Sequence, residues 1–110
     1  MTMEPRIKAL VDKVNNKLEN DEEMRNEVKD ITKTFNIDLD TEKYSFKMEN
    51  SKISDFKAEA LPEADVILIT SVENMTALLD GDLRPMKAYI TKKIKIKGDF
   101  QDLMFLKKFF

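Results

Sequence analysis

Any acid–base or nucleophilic chemistry in this chain must come from carboxylates, lysines, tyrosines or hydroxyls, because its 110 residues include no His and no Cys. Triads built on His, His general bases and Cys- or His-ligated metals are thereby excluded. Asp80 and Asp82 could be pictured as a general acid and base. That role needs two carboxylates at a set separation with divergent pKa values. With 21 acidic residues such pairs arise by chance, and nothing in this spacing marks one as special. There is neither a Gly-rich phosphate loop nor a nucleophile elbow. The reading is a protein that is not an enzyme, with no catalytic residue, no metal and no cofactor.

Lys93-Ile94-Lys95-Ile96-Lys97 is the other charged motif. A basic face attracts phosphates. The same alternation also suits an outer sheet face whose lysines deter edge pairing. A pI of about 5.3 and the lack of interleaved aromatics favour the second reading, so no nucleic-acid partner is expected. Seven methionines could supply an adaptable apolar surface, though core filling is the commoner fate of each.

These residues need elements to position them. Ile7, Leu10, Val11, Val14 and Leu18 recur at helical spacing, predicting an amphipathic helix over 4–19 with Pro5 in its first turn. Met24, Val28 and Ile31 continue the pattern over 21–30 behind a cap at Asn20 or Asp21. The period then changes to two. Phe35, Ile37 and Leu39 predict a strand over 32–39, and Tyr44, Phe46 and Met48 a second over 43–50. Ile53, Phe56 and Ala58 mark a weaker strand over 53–59. Val66 to Ile69 is a dense β-branched run, expected at 64–70 as a central strand buried on both faces. Ser71 caps a helix over 72–80, Gly81 closes it, and Pro85 opens another over 85–90. A strand over 93–97 and a helix over 100–109, capped by Asp99, complete the chain. Short turns between adjacent strands imply an antiparallel sheet. The fold class is α/β (α+β): a five-stranded, largely antiparallel sheet covered on one face by helices.

The expected terminal helix has apolar surface to spare. Phe100, Leu103 and Leu106 share one stripe, while Phe105 and Phe109 fall on a different face. One face could pack on the sheet and the other line a cavity. The pattern by itself favours a fully buried helix or a dimer contact.

The chain is long enough for a single domain over 1–110. No apolar run reaches the 18 residues of a membrane span. Met1 to Leu18 is charged throughout, unlike a signal peptide, and the Lys-Lys-Phe-Phe end is no peroxisomal address, so a cytoplasmic location is expected. The net charge of −2 hides an asymmetry, since residues 82–110 carry eight basic and three acidic groups. That basic third suits an anionic ligand or transient contact with an anionic membrane surface.

The segment from Ala64 to Phe110 resembles the sterol carrier protein family, also called sterol-binding or non-specific lipid-transfer domains. Ala64-Asp65-Val66-Ile67-Leu68-Ile69-Thr70 is similar to that family's central strand. Gly81-Asp82-Leu83-Arg84-Pro85 is similar to its Gly-x-Leu-x-Pro turn, and Ile94-Lys95-Ile96-Lys97-Gly98-Asp99 to its lysine-rich strand before the last helix. Lys92 departs from the family's glycine at that point, and Phe46 stands nearest to its tryptophan. The chain reads as prokaryotic in style.

The resemblance implies an apolar tunnel between sheet and helices, and binding or transfer of a lipid: fatty acid, acyl-CoA, isoprenoid or sterol-like. The apolar residues of the helices it places there are Met75, Leu79, Met86, Leu103, Phe105, Leu106 and Phe109, which become the expected lining. Arg84 and Lys87 flank Pro85 and would meet an anionic head group. The alternative is an interaction module that dimerises through the apolar C-terminal helix, so monomer and homodimer both stay open.

Overall fold

The structure, a computed structural model, describes residues 2–99 together with Gln101, Met104, Phe105 and Lys107. Helix α1 (Glu4–Asn20) turns its buried stripe, Ile7, Leu10, Val11, Val14 and Leu18, inward, and Pro5 sits in its first turn. A short α2 (Glu22–Val28) follows, capped by the Asp21 carboxylate, which accepts from the Met24 N–H at 3.0 Å. Strands β1 (Lys33–Asp38), β2 (Lys43–Glu49) and β3 (Lys52–Lys57) form a meander. Strand β4 (Val66–Ile69), helix α3 (Val72–Asp80), helix α4 (Pro85–Ile90) and strand β5 (Lys95–Lys97) complete the described elements. The expected helix over 100–109 falls largely on residues outside the described set; within it, Gln101, Met104 and Phe105 are helical. Among the described residues no helix is long and apolar enough to cross a membrane.

The sheet order is β3-β2-β1-β4-β5. All pairs are antiparallel except β1 with β4, which run parallel with Phe35 opposite Val66 and Ile37 opposite Leu68. Hairpins alone cannot produce that pair. The chain must cross from β3 back over β1 before β4 begins. The crossing is made by the segment 58–65, and Asn36 fastens it. Its side-chain amide donates to the Leu61 carbonyl and accepts from the Leu61 N–H, both at 3.0 Å. Asn36 is buried on the face opposite Phe35 and Ile37, and this bond pair gives its polar group a defined partner there.

One sheet face is apolar: Phe35, Ile37, Tyr44, Phe46, Met48, Ile53, Val66 and Leu68 are buried in one core with the stripes of α1, α3 and α4. Phe56 joins this face through an irregularity. Ile53 and Phe56 are three apart and would point to opposite faces of a regular strand. Asp55 adopts a left-handed φ of 57°, the register of β2 and β3 shifts there, and Phe56 stacks on Tyr44 with centroids 6.0 Å apart. Strand β4 departs from the expectation of burial on both faces. Val66 and Leu68 are buried, but Ile67 and Ile69 are only half-buried. They share the second face with Lys97 and Lys95 of β5, directly opposite them, whose charged ends need water.

Tyr44 is anchored at its hydroxyl. Its hydroxyl donates to Glu42 Oε1, which also accepts from the Met3 N–H at 2.7 Å. These two bonds hold the Glu42 carboxyl below its ordinary range. Burial, with help from Glu42, pushes the Tyr44 hydroxyl up to about 12. A phenol is neutral when protonated, so a raised folded pKa stabilises the fold fully below the unfolded value of 10.0, and that contribution is lost as pH rises towards 12. Urea midpoints measured from pH 9 upward should therefore fall more steeply in the wild type than in Tyr44→Phe. Equal slopes in the two proteins would show that Tyr44 does not titrate with unfolding.

Candidate functional site

The helix pair α3–α4 and the turn between them carry the site. Ser71 starts α3 with its hydroxyl accepting from the Asn74 N–H at 3.0 Å. Gly81 ends it in the left-handed region at φ 81°, a conformation that penalises a side chain. The Asp82 and Leu83 N–H groups both turn back to the Ala77 carbonyl, at 2.9 and 3.2 Å. That reversal buries Leu83 and delivers Arg84 and Pro85 to the start of α4. Arg6 of α1 reaches Asp80 at 2.6 Å and ties the end of α3 to the first helix. Both groups are half-exposed, so the tie contributes little to stability.

A pocket of about 540 Å³ opens at this turn, lined by Leu78, Gly81, Leu83, Arg84, Pro85, Met86 and Lys107. Its volume lies within the usual range of small-molecule sites. Its walls are apolar except for two cations, Arg84 and Lys107, and among the described residues it has no carboxylate, hydroxyl or thiol in its lining. A second concavity, of about 520 Å³ between α1 and α2, is lined by Lys17, Asn20, Asp21, Glu23, Met24 and Glu27. One methionine among charged and amide groups offers an apolar molecule almost nothing, so the α3–α4 pocket is the better candidate.

Of the nine residues expected at the site, Met86 and Arg84 border this pocket together. Met75 is fully buried in the core, and Leu79 packs against that core half-buried. Lys87 is exposed on α4 and is not part of the pocket lining. Phe105 is buried against Phe35, with ring centroids 5.6 Å apart. Leu103, Leu106 and Phe109 lie outside the described residues. Leu78 and Leu83 also border the pocket, although the sequence marks Leu83 only as part of the Gly-x-Leu-x-Pro turn and assigns neither to a site. Lys107 carried no signal, because a lysine in an apolar helix reads as the solvated position.

At the Lys92 departure, the lysine itself takes the left-handed conformation, at φ 62°. Its N–H donates to the Tyr89 carbonyl at 3.2 Å and the Lys93 N–H to the Ala88 carbonyl at 2.8 Å. The turn therefore forms without glycine, at a cost of about 1 kcal/mol in backbone strain.

The family model described as the SCP-2 sterol transfer family matches residues 11–110. No curated protein matches the chain significantly. Among solved structures, a crystal structure of sterol carrier protein 2 superposes with a TM-score of 0.68 at 15% identity, covering 92% of this chain and 90% of that one. The solution structure of palmitated SCP2L2 from Aedes aegypti gives 0.63 at 18% identity, covering 90% and 88%. A sec-alkylsulfatase from Pseudomonas sp. gives 0.62 at 15% identity, but the match to 77% of this chain spans only 14% of the sulfatase. At such identities the structural likeness speaks of the fold.

Proposed function

The chain belongs to the SCP-2 sterol transfer family, and on that premise we propose that it binds, and hands on unchanged, a lipid with an apolar body and an acidic head. Fatty acids, acyl-CoA and acidic isoprenoid or sterol-like molecules fit that description. The observation that carries the reading is the pocket at the α3–α4 turn, where Leu78, Leu83, Pro85 and Met86 form apolar walls and Arg84 and Lys107 supply the charge. An alkyl tail entering it leaves water at about 0.8 kcal/mol per buried methylene. Loss of ligand freedom offsets part of that gain, so a long tail is required. The two cations would hold the head group by charge-assisted hydrogen bonds. A fatty acid is the simplest member of the class, and the Aedes relative is palmitated.

The terminal segment completes the proposal. Leu103, Leu106 and Phe109 would extend the apolar wall beyond the pocket, with Met75 and Leu79 backing it from α3 and Lys87 serving as a third cation near the mouth. Carriage suits the described lining, whose apolar residues, Arg84 and Lys107 can hold and release a lipid.

Native mass spectrometry of freshly purified protein, followed by organic extraction, tests the proposal. A monomer or dimer carrying an extra lipid mass is expected. Ligand-free protein that also fails to take up a fluorescent fatty acid at micromolar concentration would overturn it. If the ligand-free form were also an obligate dimer, the interaction module would replace it.

A further inference from the structure

The second half of α4 and the strand after it form a surface that the pocket does not explain. Ile90 is 72% exposed and Tyr89 42%, and they are neighbours on one helix. Apolar side chains this exposed are ordinary when scattered, but adjacent ones rimmed by charge mark a contact surface. Here Lys92, Lys95 and Lys97 border the same groove as Tyr89 and Ile90, and this stretch of chain has one sign. From Leu83 to Gly98 the chain has six basic residues, Arg84, Lys87, Lys92, Lys93, Lys95 and Lys97, and no acidic one. All six are exposed. Among the described residues none of them forms an ion pair; the Asp38 carboxyl is held below the ordinary range first by the Asp40 N–H and then by Lys43, with Lys97 adding the smallest pull.

The surface is also held in place. A groove of about 690 Å³ runs between α4 and β5, with Tyr89 and Ile90 on one side and Ile96 on the other. The turn joining them is clamped from beneath, because the Lys93 carbonyl accepts from Thr70 Oγ1 at 2.9 Å and from Asn74 Nδ2 at 3.1 Å. The remainder of the chain has the opposite sign, with thirteen basic and twenty-one acidic groups outside residues 83–98. The exposed side of α1 is mixed in sign, with Lys8 paired to Asp12.

We propose that the α4–β5 face docks on an anionic phospholipid bilayer. Ile90 and Tyr89 would enter the interfacial layer, where an aliphatic group leaves water and a phenol keeps its hydroxyl wet. The lysines would sit at the phosphate level, each strengthening binding roughly fivefold. The acidic remainder would be repelled and would orient the molecule with this face down. Nucleic acid is the other polyanion such lysines could meet, and competition by an oligonucleotide separates it from a bilayer. Docking goes beyond the carrier function, and α4 links the two: its first turn borders the pocket and its last turn enters the bilayer.

The test uses vesicles of phosphatidylcholine alone, and of phosphatidylcholine with one quarter phosphatidylglycerol. The wild-type chain should partition at least tenfold more strongly onto the anionic vesicles at low salt, and lose that preference near 0.5 M salt, on the order of the screening expected there. Lys92→Glu with Lys95→Glu should lower partitioning by more than about tenfold, from two lysines at roughly fivefold each. Because the chain contains no Trp, Ile90→Trp is a single reporter whose emission should shift to the blue on anionic vesicles only. Equal partitioning onto neutral vesicles, an unchanged charge-reversed variant, an Ile90→Trp emission that does not move, or displacement from vesicles by an oligonucleotide would each overturn the proposal. Fatty-acid uptake in vesicle-free solution reads the carrier function separately. It should be the same in the charge-reversed variant, which also shows that the fold is intact.

Discussion

Phe35→Ala is expected to lower the unfolding free energy by about 3–5 kcal/mol. Phe35 is 2% exposed near the centre of β1. Its ring stacks on Phe46 at 4.9 Å with the planes 13° apart, and Phe105 tilts against it at 5.6 Å. It thus links the sheet to Phe105 of the terminal segment. Removing it leaves a void between rings that are themselves held by the backbone, so little collapse can refill the space. The loss would consume a large share of the 5–15 kcal/mol typical of a small domain. Urea unfolding followed by circular dichroism measures it, with a lower midpoint and an unchanged slope as the expected signature. A loss below about 1 kcal/mol would mean that the site collapses freely and that the three-ring stack is not a structural link. Phe105→Asp would press a carboxylate against Phe35, so weaker lipid binding by that variant would report unfolding as well as a lost wall.

The elements were legible in the sequence wherever one period dominated. The stripe of α1, the alternation of β1 and β2, and the caps at Asp21, Ser71 and Gly81 all hold in the structure, because each is decided within a few residues. Strand β3 read as weak for a local reason, since the left-handed Asp55 breaks the alternation to put both Ile53 and Phe56 on the apolar face. Strand β5 begins at Lys95 and not Lys93, because the Lys93 and Ile94 N–H groups are already engaged by the Ala88 carbonyl in the turn after α4. The parallel pairing of β1 with β4 was out of reach. It depends on a crossing fastened by Asn36 and Leu61, 25 residues apart, and no local pattern announces such a pair. The pocket followed the same division. Met86 was reached only because the resemblance places its helix at a tunnel, and Arg84 because it flanks Pro85 in the basic third, whereas Leu78 and Leu83 border the pocket through the left-handed turn at Gly81.

Met86→Asp is expected to weaken fatty-acid binding more than tenfold while leaving the fold in place. Met86 is half-buried on the first turn of α4, so a polar replacement can still reach water in the empty protein. A bound alkyl tail would remove that water, and the carboxylate would then be desolvated without a partner. A penalty of about 1.4 kcal/mol or more corresponds to the tenfold loss. Charge adds to it, because an aspartate at that wall opposes an acidic head drawn in by Arg84 and Lys107. Met86→Leu preserves volume and apolarity and should bind within a few fold of the wild type. Arg84→Gln removes one of two cations and leaves the walls intact, so its loss should be smaller than that of Met86→Asp and should shrink further in high salt. Titration with a fluorescent fatty acid, beside circular dichroism of each variant, measures the series. Equal affinity in Met86→Asp and the wild type, with both folded, would place the lipid elsewhere on the molecule. A larger loss in Arg84→Gln than in Met86→Asp would mean that the head group, not the tail, governs recognition.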